Sequence, residues 1–265
     1  MGFFRFIGGL ITGFFEYLGE VAELVAGIAV SLVRGKIRWW MVVQQVVEIG
    51  HRSQPVVMIT GAFTGAVLAA QSLFQFSALN METAAGALVS VAMLRELGPS
   101  ITALMLAGRV GAAMAAEIGT MRVTEQVDAL RSMGVHPVDY LVSPRLLAML
   151  LAMPLLIGES AALGIIASAV VGTGPFNVNY YYWMNQMEKY TDYTDIIIAL
   201  IKGLVFGVLI VCISCHQGMS AKDGAVGVGR STTRAMVYSA LAILIFNFFL
   251  TLILNLIFPA GLSRK

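Results

Sequence analysis

Hydrophobic residues occur in long uninterrupted runs along the chain, and most polar residues lie in short segments between them. A run of about 20 apolar residues is enough for a helix to cross the hydrocarbon core of a bilayer. The pattern therefore predicts an all-α integral membrane protein with five transmembrane helices. They are expected over roughly residues 55–79, 84–108, 145–172, 194–215 and 235–258.

The first part of the chain is apolar but carries regularly spaced carboxylates. Glu16, Glu20 and Glu23 fall on one side of a helix through residues 3–33. A spanning helix would place these charges in hydrocarbon, which is unfavourable by several kcal/mol. We therefore expect an amphipathic helix that lies in the membrane interface, with a tilted span as the alternative. The same carboxylates argue against a cleavable signal peptide.

A basic and aromatic segment follows this helix. Arg38 precedes Trp39 and Trp40, and basic residues beside indole rings are typical of the headgroup level. A short elbow helix is then expected to end near Ile49. The chain divides into N-terminal interfacial and elbow helices (1–52), a membrane domain (53–258) and a C-terminal tail (259–265).

A polar segment between the second and third spans is predicted to form a helix over about residues 117–133. Val123, Val127 and Leu130 supply an apolar stripe on an otherwise polar helix. Gly134 follows its last turn and is expected to end it. A short amphipathic helix between two spans is suited to insert into a groove on a soluble partner. A connector lying on the membrane surface is the alternative.

Two other connecting segments have distinct compositions. Residues 177–193 are rich in aromatic residues and Asn, which suits the outer membrane interface. Residues 216–232 are polar and rich in Gly, which predicts a flexible loop. Ser231 is expected to cap the start of the last helix.

The composition agrees with a membrane protein. Hydrophobic residues make up 58% of the 265 residues and charged residues 12%, whereas a soluble domain carries about 25% charged residues. The formal net charge of +2 gives no basis for nucleic-acid binding.

The distribution of basic residues predicts the orientation. Residues on one side of the predicted spans include Arg5, Arg34, Lys36, Arg38, Arg52, Arg109, Arg122, Arg131, Arg145, Lys222, Arg230 and Arg234. The other side holds Lys189, Arg264 and Lys265. Because basic loops stay in the cytoplasm, the N-terminus and residues 117–133 are expected to be cytoplasmic and the C-terminus periplasmic.

Three charged residues lie inside predicted spans. Arg95 and Glu96 stand in the second span before Gly98 and Pro99, and Lys202 lies in the fourth. Charges at this depth usually face a cavity or a partner. They are expected to form a polar site, with a purely structural ion pair as the alternative. Lys202 can also extend towards the outer interface.

Two motifs resemble cofactor sites without their context. Cys212, Cys215 and His216 match the spacing of c-type haem attachment, but the predicted topology places them at the cytoplasmic end of a span. Residues 224–231 resemble a phosphate-binding loop with Arg230 in place of Lys, but a membrane helix precedes them instead of a strand. We therefore expect neither haem nor nucleotide binding, and no metal or cofactor in this chain.

Small residues recur at close-packing spacing, at Gly61 and Gly65 and again at Gly203 and Gly207. Such pairs allow helix backbones to approach closely in lipid. Packing within one subunit is the expected use, and a dimer interface is the alternative.

A set of short motifs resembles the MlaE (YrbE) permease family over roughly residues 40–258. The motifs are 94–99 (LRELGP), 107–112 (AGRVGA), 116–121 (AEIGTM), 124–126 (TEQ), 143–145 (SPR) and 229–234 (GRSTTR), with Ala129, Leu130 and Met133. One departure concerns the last span, where the resemblance implies an acidic residue and this chain has Asn247. The neutral amide leaves less negative charge to balance Lys202.

The resemblance implies the permease of an ABC transporter for phospholipids. It implies a homodimer, one cytoplasmic ATPase subunit per protomer that binds the ATP, and a periplasmic MCE-domain lipid carrier. Members move phospholipids between the inner membrane and the periplasm and maintain outer-membrane lipid asymmetry. No catalytic residue is expected in this chain.

The resemblance also implies residue roles. Residues 117–133 would be the coupling helix to the ATPase, with Glu117, Arg122, Glu125, Gln126, Asp128 and Arg131. The lipid cavity would be lined by Leu68, Gln71, Phe76 and Leu79 and by the charged residues Arg95, Glu96 and Lys202.

Two other function classes remain open from the residues alone. An ion-coupled secondary transporter of an amphipathic substrate would use the three buried charges and need no ATPase. A membrane-embedded lipid enzyme is disfavoured, because His51, His136 and His216 are scattered over separate segments.

Overall fold

The computed structural model describes residues 12, 19–31, 38–78, 81 and 84–258, and these form helices and short connections. We number the helices in chain order. They are α1 (19–31), α2 (Trp39–Val46, continued by a π-helical turn Val47–His51), α3 (Gln54–Ser77), α4 (Ala84–Val123), α5 (Gln126–Ser132), α6 (Val138–Thr173), α7 (Tyr180–Tyr190), α8 (Tyr193–Met219) and α9 (Gly224–Ile257).

The described residues contain five helical segments that are long and apolar enough to cross a membrane. They are α2 with α3, then α4, α6, α8 and α9. The all-α class and the five predicted spans are therefore confirmed. The predicted C-terminal tail, residues 259–265, lies outside the described residues.

Helix α4 is longer than the predicted second span, because it continues from residue 108 to Val123. Its 40 residues correspond to about 60 Å at 1.5 Å per residue. The hydrocarbon core is about 30 Å thick. A large part of α4 therefore extends beyond the membrane core.

The prediction of one helix over residues 117–133 is wrong. Residues 117–123 are the end of α4, a turn at Thr124 and Glu125 follows, and α5 begins at Gln126. Glu125 adopts a left-handed backbone conformation with φ 61°, which a helix cannot continue through. Arg122 donates two hydrogen bonds of 2.6 Å to the Asp128 carboxylate and so links the two helices across the turn.

The predicted loop over residues 216–232 is also wrong, because α8 extends to Met219 and α9 begins at Gly224. Ser231 lies inside α9 and does not cap it. Close packing accounts for the difference: a Cβ atom added at Gly218 would lie 3.0 Å from the backbone oxygen of Ala115. Gly218 therefore lets α8 pack directly on α4. A Cβ atom added at Gly119 of α4 would lie 3.4 Å from the Val228 side chain, so α9 packs closely there too. These tertiary contacts outweigh the low helix propensity of Gly.

Helix α6 lies between α3 and α8. The glycine pairs of both neighbouring helices pack against it. A Cβ atom added at Gly65 would overlap the backbone of Gly164 on α6. One added at Gly203 would lie 2.8 Å from the Ile157 side chain and 3.6 Å from Pro154 Cα, also on α6. The expected use of these glycines in packing within one subunit is confirmed.

Helix α1 packs against the helix bundle through Leu24 and Ile28, which are buried in the main apolar core. Glu20 Oε2 lies 2.8 Å from His216 Nε2 at the end of α8. Glu20 thus brings the carboxylate side of α1 into contact with α8. The interfacial position of α1 stays a prediction, with a tilted span as the alternative.

Replacing Gly65 with Ala should lower the free energy of unfolding by about 1–3 kcal/mol, as overpacking does in a dense core. The thermal unfolding midpoint of the purified chain in detergent measures this effect. Gly158→Ala is the matched control, because a Cβ atom there meets nothing within 4 Å. Equal midpoints for the two variants would contradict the close α3–α6 contact.

Candidate functional site

The candidate site forms where α4 departs from regular helical geometry. Residues Met93–Leu97 make a π-helical turn just before Gly98 and Pro99. Proline has no N–H and cannot donate to the carbonyl four residues earlier, which is that of Arg95. The Lys202 ammonium on α8 donates a 2.7 Å hydrogen bond to that carbonyl instead. The missing hydrogen bond within α4 thus leaves an acceptor for a buried cation.

Two ion pairs join α4 to α8 at this turn. Arg95 Nε lies 2.5 Å from Asp195 Oδ1, and Lys202 Nζ lies 2.8 Å from Glu96 Oε2. The side chains of Arg95, Asp195 and Lys202 are buried, whereas that of Glu96 is 35% exposed. The four charges sum to zero. We call these residues the charge cluster.

Helix α9 completes the charge cluster with neutral polar groups. Lys202 also donates to Thr251 Oγ1 at 2.9 Å, and Thr251 donates to Glu96 Oε1 at 2.9 Å. Arg95 donates to the Asn255 side-chain oxygen at 2.7 Å, and Asn247 donates to Glu96 at 3.2 Å. Three helices are therefore connected by hydrogen bonds inside the predicted membrane region.

The structure brings together the three charged residues predicted from the sequence, namely Arg95, Glu96 and Lys202. Asp195 was missed, because it lies at the start of α8, where it also forms a capping box with Asp192. A signal was present: Asp195 precedes Lys202 by two helical turns and shares its side of α8.

The neutral Asn247 on α9 does not leave Lys202 without a counter-charge. Glu96 balances Lys202 and Asp195 balances Arg95, so no acid on α9 is needed.

The cavity residues predicted on the first span lie on α3, beside a second apolar cluster that includes Leu73, Val89, Met93 and Trp183. Leu68 and Phe76 are partly buried against this cluster, and Gln71 is exposed. Leu79 lies outside the described residues. Among the described residues, no hydrogen bond of the charge cluster reaches this part of α3. The two regions are adjacent through Met93, a member of the apolar cluster on the same π turn as Arg95.

The predicted coupling residues separate into two groups. Glu117 Oε2 lies 2.7 Å from Arg145 Nη2 and thereby joins α4 to the start of α6. The other five surround the turn between α4 and α5 at its tip. They are Arg122, Glu125, Gln126, Asp128 and Arg131.

The tip around this turn is mostly exposed. Glu125 and Gln126 are exposed and Val127 is buried, while Met133 has 67% of its surface exposed. The tip thus presents charged groups and one large apolar side chain at the end of a helix that continues into the membrane domain. We call it the α4–α5 tip.

Replacing Asp195 with Asn should destabilise the protein strongly, because it leaves Arg95 buried without its counter-charge. Removal of one partner of a buried pair costs about 3–5 kcal/mol. Unfolding in detergent should show this loss for D195N, and the double variant D195N/R95Q should lose less. D223N, in an exposed turn, is the matched control. A D195N protein as stable as D223N would contradict the role of the pair.

Comparisons with known proteins cover nearly the whole chain. Residues 42–253 match the family described as Permease MlaE. A probable ABC transporter permease protein of Synechocystis is 40% identical over 237 residues, which cover 89% of this chain and 90% of the relative.

Two further relatives come from a bacterium and from a plant. The intermembrane phospholipid transport system permease protein MlaE of Haemophilus influenzae is 32% identical over 262 residues, covering 98% of this chain and 99% of the relative. The chloroplastic protein trigalactosyldiacylglycerol 1 of Arabidopsis thaliana is 38% identical over 234 residues, covering 88% of this chain and 67% of the relative. With its five candidate spans, the chain belongs to the MlaE family of multi-pass ABC transporter permeases.

Proposed function

We propose that this chain is the permease subunit of an ABC transporter that moves phospholipids between the inner membrane and a periplasmic carrier. The observation that carries the proposal is the charge cluster, a hydrogen-bonded polar site within an otherwise apolar helix bundle. The name of the Haemophilus relative, a phospholipid transport permease, supports the same substrate class.

The arrangement suits an amphipathic substrate. Glu96 is the accessible member of the charge cluster, and α9 beside it exposes apolar side chains such as Leu244, Phe248 and Leu252. A phospholipid headgroup would lie near the polar site while its tails follow apolar walls that include Leu68 and Phe76. Each methylene kept from water contributes about 0.8 kcal/mol, so an apolar path carries the tails without exposing them.

The exposed apolar face of α9 also supports a homodimer. A second copy facing this helix would enclose a cavity between the two subunits. A periplasmic MCE-domain protein would receive or deliver the lipid at the outer end, in a pathway that maintains outer-membrane lipid asymmetry.

The energy source would be a separate cytoplasmic ATPase subunit that binds ATP. Residues 224–231, which resembled a phosphate-binding loop, form the first turns of α9. The α4–α5 tip, with Glu125 and Arg131, would insert into the ATPase. The distribution of basic residues supports a cytoplasmic tip and N-terminus and a periplasmic C-terminus.

Charge reversal at the tip should uncouple the transporter. The double variant E125R/R131E should abolish lipid-stimulated ATP hydrolysis and reduce copurification of the ATPase, because both side chains are exposed and would face the partner. Its thermal stability should stay near that of the wild type. E188R, on exposed α7 at the opposite end, is the control and should retain both properties.

A lipid-transport assay with the purified chain alone separates the transport mechanisms. If the purified chain alone moved lipid in response to an ion gradient, with the ATPase absent, the ATPase-driven mechanism would be wrong. The ion-coupled transporter would then be the better description.

Photocrosslinking tests the lipid path. With a photoreactive amino acid in place of Gln71, the assembled transporter should form phospholipid adducts whose yield changes at least about twofold on ATP addition. The same replacement at Leu155, an exposed residue on α6, should capture annular lipid independently of ATP. Indistinguishable ATP responses at the two positions would exclude Gln71 from the path.

A further inference from the structure

A cleft lies between the elbow helix and α4, away from the charge cluster. One wall comes from α2 and its π-helical turn, and the other from the cytoplasmic half of α4. The lining residues include Gln45, Glu48, Ile49, Arg109, Met114 and Glu117. The cleft is open on one side and combines apolar side chains with one cation and two carboxylates.

Arg109 is the charged residue of this cleft that lacks an ion-pair partner among the described residues. It lies on a second π-helical turn of α4, Ala107–Gly111, and is only partly exposed. Its Nη1 donates to the Ser53 hydroxyl. Within the part of the chain that the structure describes, no carboxylate pairs with Arg109. A half-buried guanidinium with further N–H groups available is an effective site for a phosphate oxygen.

The two carboxylates already have cationic partners. Glu48 Oε1 lies 2.6 Å from Arg52, and Glu117 Oε2 lies 2.7 Å from Arg145. Together with these partners the cleft carries one uncompensated positive charge, that of Arg109. Both carboxylate side chains remain about half exposed, at 46% and 56%. Each can therefore accept a further hydrogen bond from a bound amine.

The depth of the cleft corresponds to the cytoplasmic headgroup region. Arg109 comes 25 residues after Ala84, the first residue of α4, which is about 37 Å along the helix axis. This exceeds the thickness of the hydrocarbon core, about 30 Å. Trp39 and Trp40 at the start of α2 are exposed, as interfacial indoles are.

We propose that this cleft binds the headgroup of an aminophospholipid from the cytoplasmic leaflet. The phosphate accepts hydrogen bonds from Arg109, and the primary ammonium donates to Glu48 and Glu117. A quaternary ammonium has no N–H to donate to these carboxylates. The site therefore prefers phosphatidylethanolamine to phosphatidylcholine. The proposal is independent of the transport function, because it uses none of the charge-cluster residues.

A lipid held here would join α2 to α4. Since α4 ends at the α4–α5 tip, the composition of the cytoplasmic leaflet would then influence how firmly the elbow helix is held against the helix that carries the tip.

Native mass spectrometry of the full-length chain in detergent tests the site. Titration with phosphatidylethanolamine should give a specific bound lipid, and R109Q should weaken its binding about tenfold, as expected for loss of a charged hydrogen bond. R109K should retain most of the affinity. R230Q, which removes an exposed arginine at the start of α9, is the matched control and should bind as the wild type does. E48Q should reduce the preference for phosphatidylethanolamine over phosphatidylcholine.

Soluble competitors distinguish a lipid from a free anion. Inorganic phosphate and phosphoethanolamine at the lipid's concentration should leave the bound lipid in place, because they lack its acyl chains. Displacement by either one would show a site for free phosphate compounds and would overturn the proposal. Equal binding of phosphatidylethanolamine and phosphatidylcholine, or unchanged binding in an R109Q protein with wild-type thermal stability, would overturn it as well.

Discussion

A charge inside a bilayer has to be neutralised where it lies, because no water is present to solvate it. In this protein that requirement determines how three helices sit together. Arg95 and Glu96 on α4 each find the opposite charge on α8, and α9 supplies the remaining hydrogen bonds. Since the lipid tails around the bundle offer no hydrophobic drive for helix association, these pairs and the glycine contacts hold the helices in register.

The backbone of α4 makes this neutralisation possible. Pro99 leaves the Arg95 carbonyl without its usual donor, and the Lys202 ammonium takes that place. A bond that would otherwise be internal to one helix thereby becomes a bond between two. Pro99, which weakens α4, therefore also allows the hydrogen bond that joins α4 to α8. The charge cluster needs both helices.

Much of this architecture was predictable from periodicity and composition. Five apolar runs and the positions of Arg95, Glu96 and Lys202 were readable directly, because burial of charge in an apolar run is conspicuous. The turn at Glu125 was not, since a left-handed glutamate has no signature comparable to that of Gly. The helical start of α9 was also hidden. Its glycines indicate a loop by propensity, whereas the packing of Val228 on α9 against Gly119 on α4 is visible only in the structure. Asp195 was overlooked because a carboxylate at a helix start has an ordinary explanation as a cap.

The unbroken course of α4 has a mechanical consequence. One continuous helix runs from Ala84 at one end of the bundle to the turn after Val123. A displacement applied at either end has to be absorbed by tilting the whole helix or by local rewinding. The two π-helical turns, at Met93–Leu97 and Ala107–Gly111, are the places where rewinding is easiest, since their hydrogen bonding already departs from the regular ladder. Each of these turns carries an arginine, Arg95 or Arg109, so a change in the winding of α4 would move a guanidinium group.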